Sequence, residues 1–313
     1  MRKFRTYHQV THETGSRILE QVLEQRARLT DRLATVGAII AIASGKGGVG
    51  KSAITANLAA ALALRGARVG ALDADLNGPS LGRMLGVPRA ALTDGAAGVQ
   101  PATGVAGIRV MSMDLLQQDE APLRWRGPEG DGFVWRGLAE TGVLREFLSD
   151  VVWGDLDYLL VDVPPGTDRM ARLIELVPHP HQTLLVTSPA EIVRFVVAKS
   201  ARLLHDAGVR NVAIVANLIP ATGTRLSPEG RAAPLDHSGT VEPTEADAVD
   251  AVDQLERETG LSVVARIPYD PALATLTDRG APFVLASPDA DAVRAFALLA
   301  DRVERGNGGR YAS

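Results

Sequence analysis

The chain has 313 residues, enough for one large α/β domain or two small ones. Hydrophobic residues make up 46% and charged residues 22%, a globular composition, and a net charge of −4 argues against a nucleic-acid surface. No run reaches the roughly 18 apolar residues of a membrane span, and no apolar stretch follows the basic N-terminus as a secretory signal requires, so the expected compartment is the cytoplasm. Cysteine is absent, which excludes disulfides, thiolate catalysis and any cysteine-ligated zinc or iron–sulfur site within the chain.

Residues 15–36 place Ile18, Leu19, Val22, Leu23, Leu29, Leu33 and Val36 at helical spacing, which predicts an N-terminal helical segment over 1–36. It lies against the domain or serves a partner. From residue 37 to 305 short apolar runs alternate with amphipathic segments. "AIIAIA" (38–43) has no polar alternation, as a parallel strand covered on both faces requires. A helix follows over 51–66 and ends at Gly66, and "RVGALDAD" (68–75) is the next strand. Further strands are expected at 108–113, 158–163, 182–188, 211–218 and 262–267, with helices at 138–150, 190–207 and 289–305. This rhythm predicts a single doubly wound α/β domain with a seven- or eight-stranded, mostly parallel sheet. Residues 220–247, rich in Pro, Gly, Ser and Thr, break the rhythm as a mobile insertion, and 89–107 read as a weaker loop. The tail 306–313 is expected to fray.

Between the first strand and its helix stands "GKGGVGKS" (45–52), which satisfies G-x-x-x-x-G-K-[ST] in the context that motif needs. Gly45, Gly47, Gly48 and Gly50 allow backbone angles and close approach that side chains would block. The backbone amides from Gly45 to Ala53, Val49 included, then cradle phosphate oxygens at a helix N-terminus. Lys51 would reach the β- and γ-phosphates and Ser52 would ligate Mg²⁺. The strand "YLLVDV" ends in Asp162, suited to hold Mg²⁺ through a water. Asp73 and Asp75 lie at the carboxyl end of the neighbouring strand, where open α/β sheets bind ligands. One of the two would position an attacking water, the other support the metal or a loop lysine.

A second lysine, Lys46, precedes the usual one. "KGGVGKS" resembles the deviant Walker A signature of the MinD/ParA class of P-loop ATPases. Within that class the chain resembles the Mrp/ApbC-type iron–sulfur cluster carriers. The resemblance rests on "DADLNGPSLGRMLG" (73–86), "VWRG" (134–137), "WGDLDYLLVDVPPGTD" (153–168), "IPYDP" (267–271) and "DRGAPFV" (278–284). It implies an Mg²⁺-dependent ATPase working as a homodimer, with ATP sandwiched between subunits and Lys46 reaching the partner's nucleotide. Asp75 matches the water-activating aspartate, Asn217 the asparagine that contacts adenine, and Pro268 the segment lining the same base. It also implies iron–sulfur assembly or client proteins as partners. The chain departs from the group where a C-x-x-C pair should follow Asn217: "NLIPATGTRLSPEG" (217–230) has no cysteine, so a cluster cannot be ligated in the usual way. "PPGTDR" (164–169) and "SPA" (188–190) also replace the group's "PPGTGD" and "TPQ". Two other functions stay open: a positioning or partitioning switch, or a regulatory module that binds ATP and hardly hydrolyses it.

Three remaining features favour plain structural readings. Trp125 and Trp135 read as anchors packed on the sheet before a partner patch. His179 and His181 flank a prolyl turn and lack the carboxylate that would complete a metal site. The helix at 289–305 mixes acids and arginines on its polar side, so packing against the core is expected and membrane binding is not.

Overall fold

In the computed structural model, residues 23–24, 27–88, 92–95, 97–116, 132–177, 181–189, 191–220 and 245–306 are described. Eight strands form the main sheet: β1 (Val36–Ala43), β2 (Val69–Asp73), β5 (Ala102–Thr103), β6 (Arg109–Met111), β7 (Leu156–Asp162), β8 (Gln182–Thr187), β9 (Val212–Ile219) and β10 (Val263–Pro268). Their order is β10-β9-β8-β1-β7-β2-β6-β5, and every pair is parallel except β5 with β6. The expected doubly wound sheet is therefore present. The unbroken apolar runs produced it: β7 is buried along its whole length, and β1 everywhere except Gly37.

Helix α1 (Lys51–Leu64) leaves β1, and α2 (Leu81–Met84) follows β2. Beyond β6 come α3 (Gly132–Ser149), α4 (Thr167–Leu176), α5 (Glu191–Asp206), α6 (Glu245–Thr259), α7 (Pro271–Asp278), α8 (Phe283–Ala286) and α9 (Asp291–Gly306). Residues Ile54 to Leu62 of α1 are buried in sequence, so this helix is apolar on nearly all sides and fills the interior. On α9, Ala292, Phe296, Leu299 and Val303 are buried, and Arg65 fastens its outer face through Asp301 at 2.7 Å and Glu304 at 2.8 Å. The expected packing of this helix on the core is realised. No helix among the described residues is long and apolar enough to cross a membrane.

Local differences from expectation have physical causes. The first strand starts at Val36, because Val36 pairs with Leu156 of β7 and is buried there. The stretch at 89–107 is not all loop. It holds an antiparallel hairpin, β3 (Thr93–Gly95) and β4 (Gly98–Gln100), and then the edge strand β5. Such two- and three-residue strands are too short to leave a period. His181 is exposed yet not idle: Nδ1 accepts a hydrogen bond from the Ile39 amide at 3.2 Å. The insertion at 220–247 lies mostly outside the described residues, its last residues opening α6. Most of 1–36, the 306–313 tail after Gly306, Trp125, His179 and the Trp135 side chain also lie outside them.

Candidate functional site

The strand order reverses around β1, which has β7 on one side and β8 on the other. Crevices beyond the carboxyl ends of strands at such a point are where open α/β sheets bind ligands. The 45–52 loop leaves β1 there. Its geometry needs glycine at two places: Gly48 has φ 83° and Gly50 has φ 79°, both left-handed. Nothing lies within 4 Å of a side chain built on Gly48, so the loop is open on that side. Gly45 is constrained differently, since a Cβ there would come within 2.5 Å of Val196 Cγ1 on α5. Gly50 is the N-cap of α1 and no side chain caps this helix, so its first-turn amides face the loop unclaimed by a capping side chain. An anion fits such an end.

Charged groups converge beneath the loop. Lys51 Nζ meets Asp162 Oδ1 at 2.7 Å, and Ser52 Oγ donates to Asp162 Oδ2 at 2.6 Å. Lys51 is 7% exposed and Asp162 0%. Thr55, one turn along α1, donates to Asp162 Oδ1 at 2.8 Å. Sequence reasoning missed Thr55, although a hydroxyl four residues after Lys51 must share its helix face.

Asp73 pairs in register with Asp162 on the adjacent strand. Its Oδ1 accepts from the Asp75 amide at 3.0 Å; its Oδ2 accepts from the Ser80 amide at 2.8 Å, the Leu81 amide at 2.9 Å and the Ser112 hydroxyl at 3.2 Å. It therefore staples the loop that carries Asp75. Burial, and then the nearby Asp162 charge, push the Asp73 carboxyl up to about 7, against the opposing pull of the Leu81 and Ser80 amides and Lys51. Asp75 is half-buried, and its Oδ1 accepts from the Gly78 amide at 3.2 Å.

The other candidates fall at the rim. Lys46 is exposed and has no hydrogen bond or ion pair with a described residue. Val49 is buried and Ala53 half-buried in the first turn of α1. Asn217, 3% exposed, donates from Nδ2 to the Val49 carbonyl at 2.9 Å, and Pro268 lies one strand over, in register with Ile219. The "DRGAPFV" segment does not enter this group. Gly280, at φ 78°, packs so tightly that a Cβ would lie 2.9 Å from Gly86 Cα. Buried Asn57 of α1 accepts from the Val284 amide at 3.1 Å, so the segment braces α1 from behind.

The residues present fit a nucleotide with Mg²⁺. A glycine cradle opens onto uncapped helix amides, and a hydroxyl stands beside a buried carboxylate. Fold and site together define a P-loop NTPase of the MinD/ParA type. Residues 35–304 match the ParA family model, described as "NUBPL iron-transfer P-loop NTPase", and the chain belongs to that family. It is 35% identical over 272 residues to an iron-sulfur cluster carrier protein of Saccharolobus solfataricus, covering 84% of this chain and 82% of that protein. It is 40% identical over 201 residues to the cytosolic Fe-S cluster assembly factor CFD1 of Chaetomium globosum, covering 59% of this chain and 63% of that one. Among solved structures it resembles a nucleotide-binding protein in complex with ADP from Archaeoglobus fulgidus, with TM-score 0.65 and 29% identity over 86% of this chain and 96% of that one. The cell division ATPase MinD of Pyrococcus furiosus shares the fold, at TM-score 0.55 and 24% identity over 86% of this chain and 99% of that one. The expected family is thus shown, in a member without cysteine.

Proposed function

We propose that this protein is an Mg²⁺-dependent ATPase that cycles between a closed homodimer and a relaxed state in service of iron–sulfur cluster assembly or transfer in the cytoplasm. The observation that carries the reading is the Lys51–Ser52–Asp162 cluster, with contacts of 2.7 and 2.6 Å, beneath an open glycine cradle. ATP would lie with its phosphates on the amides of Gly45 to Ala53 and its base toward Asn217 and Pro268. Lys51 would exchange Asp162 for the β- and γ-phosphates. Mg²⁺, held by Ser52 and by Asp162 through a water, would supply neutralisation of phosphate charge.

Asp75 orients a water whose oxygen bonds to the γ-phosphorus as the bond to the β–γ bridging oxygen breaks, leaving ADP and inorganic phosphate. Asp73, expected near the metal, acts through the loop it staples: it holds Asp75 at the end of β2. Lys46, exposed at the rim, is available to a second copy's nucleotide, where a cation stabilises developing negative charge. The cluster is cargo in this scheme, and its ligands come from a client or partner, because this chain has no thiolate.

Phosphate release with Mg-ATP tests the reading. Wild type should turn over slowly and Asp75→Ala should lose roughly 10²-fold or more, the scale of a lost water-orienting group. Equal rates in the two proteins would remove Asp75 from its role, and no release by either would remove the ATPase. The cluster role fails separately if depleting the protein leaves iron–sulfur enzyme activities unchanged.

A further inference from the structure

Strand β9 carries one extra residue just where it passes the phosphate loop. Ala216 pairs with Arg266 and Ile219 with Pro268, so three steps on β9 match two on β10, and Asn217 and Leu218 together oppose Ile267. Bulges are rare between parallel strands, and near active sites they re-aim a side chain. The conformation is costly as well as rare, because Leu218 has φ 60°, a left-handed angle that a branched side chain resists. What the bulge aims is the Asn217 amide. It is buried against the loop, donating to the Val49 carbonyl at 2.9 Å, and so close to Gly50 that a Cβ there would lie 2.3 Å from Nδ2.

We infer that Asn217 is a positioning residue of the phosphate loop, delivered by the Leu218 bulge, in addition to any contact it makes with a base. A trans peptide is planar, with its C=O and N–H pointing opposite ways. Fixing the Val49 carbonyl on Asn217 therefore fixes the Gly50 N–H pointing away from Asn217, in the run of amides that begins α1. No side chain caps that helix, so the orientation of these amides depends on the loop backbone, and Asn217 is what holds it at Val49. The same contact explains why glycine alone fits at position 50. The consequence for binding rests on the nucleotide reading above: the strut acts on the phosphate end of the ligand, so its removal weakens any polyphosphate, with or without a base.

Amide hydrogen exchange of the ligand-free protein tests the strut without any ligand. In Asn217→Ala the peptide covering 45–54 should exchange several-fold faster while β1 and β7 keep wild-type protection, which separates loss of the strut from loss of the fold. Leu218→Gly, which accepts the left-handed angle, should keep the loop protected; Leu218→Val, whose branched Cβ resists it, should not. Calorimetry with Mg-tripolyphosphate and Mg-ATP then reads the consequence. Asn217→Ala should weaken tripolyphosphate roughly three- to tenfold, for one lost buried hydrogen bond, and ATP by at least that factor. Unchanged loop exchange overturns the inference, and so does a loss confined to ATP with tripolyphosphate binding intact, which would make Asn217 a reader of the base alone. If exchange rises in the variant while wild type binds neither ligand, the strut stands and the nucleotide reading falls.

Discussion

At the carboxyl end of β7, Asp162 is wholly buried and Lys51 meets it at 2.7 Å with 7% of its side chain exposed. At the amino end of the same strand, Asp157 meets Arg68 at 2.9 Å, and the arginine side chain is 55% exposed. Asp157 also accepts from the Arg68 amide at 2.7 Å, so the outer pair ties the start of β2 to β7 and has all its partners in place. The inner pair is different in kind. Burying two charges is expensive, and their attraction offsets that cost only while both are present. On the proposed function a cation held in this way changes partner when a phosphate arrives, whereas Arg68 lies half in water between Asp157 and, at 3.7 Å, Asp155. On that reading the inner pair is a binding device whose charges depend on each other, while the outer pair only ties two strands together.

Breaking the inner pair should have the largest effect. Asp162→Ala strands Lys51 among buried groups and should cost about 3 kcal/mol or more in chemical denaturation. Thr55→Val should come next, at about 1.5 kcal/mol, since it removes a hydrogen bond to a charged acceptor while keeping the side chain's shape. Asp157→Ala should cost about 1 kcal/mol, because an ion pair with one partner half in water contributes little. Reversal of this order in denaturation midpoints would contradict the contrast between the two ends.

Acidity sharpens the same comparison, because the two ends respond with opposite sign. Asp73, neighbour of Asp162, has its carboxyl raised to about 7 by burial and by that neighbour. A raised carboxyl binds its proton more tightly when folded, so its contribution is full below about pH 4 and is lost as pH rises toward 7. Asp157 is lowered from the usual carboxylate range, first by its hydrogen bond from the Arg68 side chain. Its contribution is therefore present above about pH 4 and lost as pH falls through the lowered value. Melting temperature of the ligand-free protein should gain on acidification from pH 8 to 5 and lose below pH 4. Asp73→Asn should flatten the first limb and Asp157→Asn the second.

The inner site was largely legible in the sequence because its parts are local. Eight contiguous residues give the loop, and Asp162 is marked by standing at the end of an apolar run. The sheet was legible for a similar reason, since parallel strands buried on both faces must be unbroken apolar segments. Contacts that depend on tertiary register were not. Nothing in "VAIVANL" reveals that a bulge turns Asn217 onto Val49, and nothing in "DRGAPFV" reveals that Asn57 holds it. The hairpin at β3 and β4 escaped because three-residue strands have no period to detect. Asp73 illustrates a subtler limit: its place at the end of a strand is legible, but only the tertiary structure sets it in register with Asp162 and closes three amides of the following loop and the Ser112 hydroxyl beyond β6 on its oxygens.

The two ends of β7 can be set against each other in one assay. Phosphate release from saturating Mg-ATP would be measured for wild type, Asp157→Ala and Asp162→Ala, at a temperature where circular dichroism shows all three folded. Asp157→Ala should match wild type within about twofold, and Asp162→Ala should fall by roughly 10²-fold or more, as expected when a metal-holding carboxylate is lost. Equal turnover in Asp162→Ala and wild type would contradict the account, because the buried carboxylate under the phosphate loop would then have no part in the chemistry.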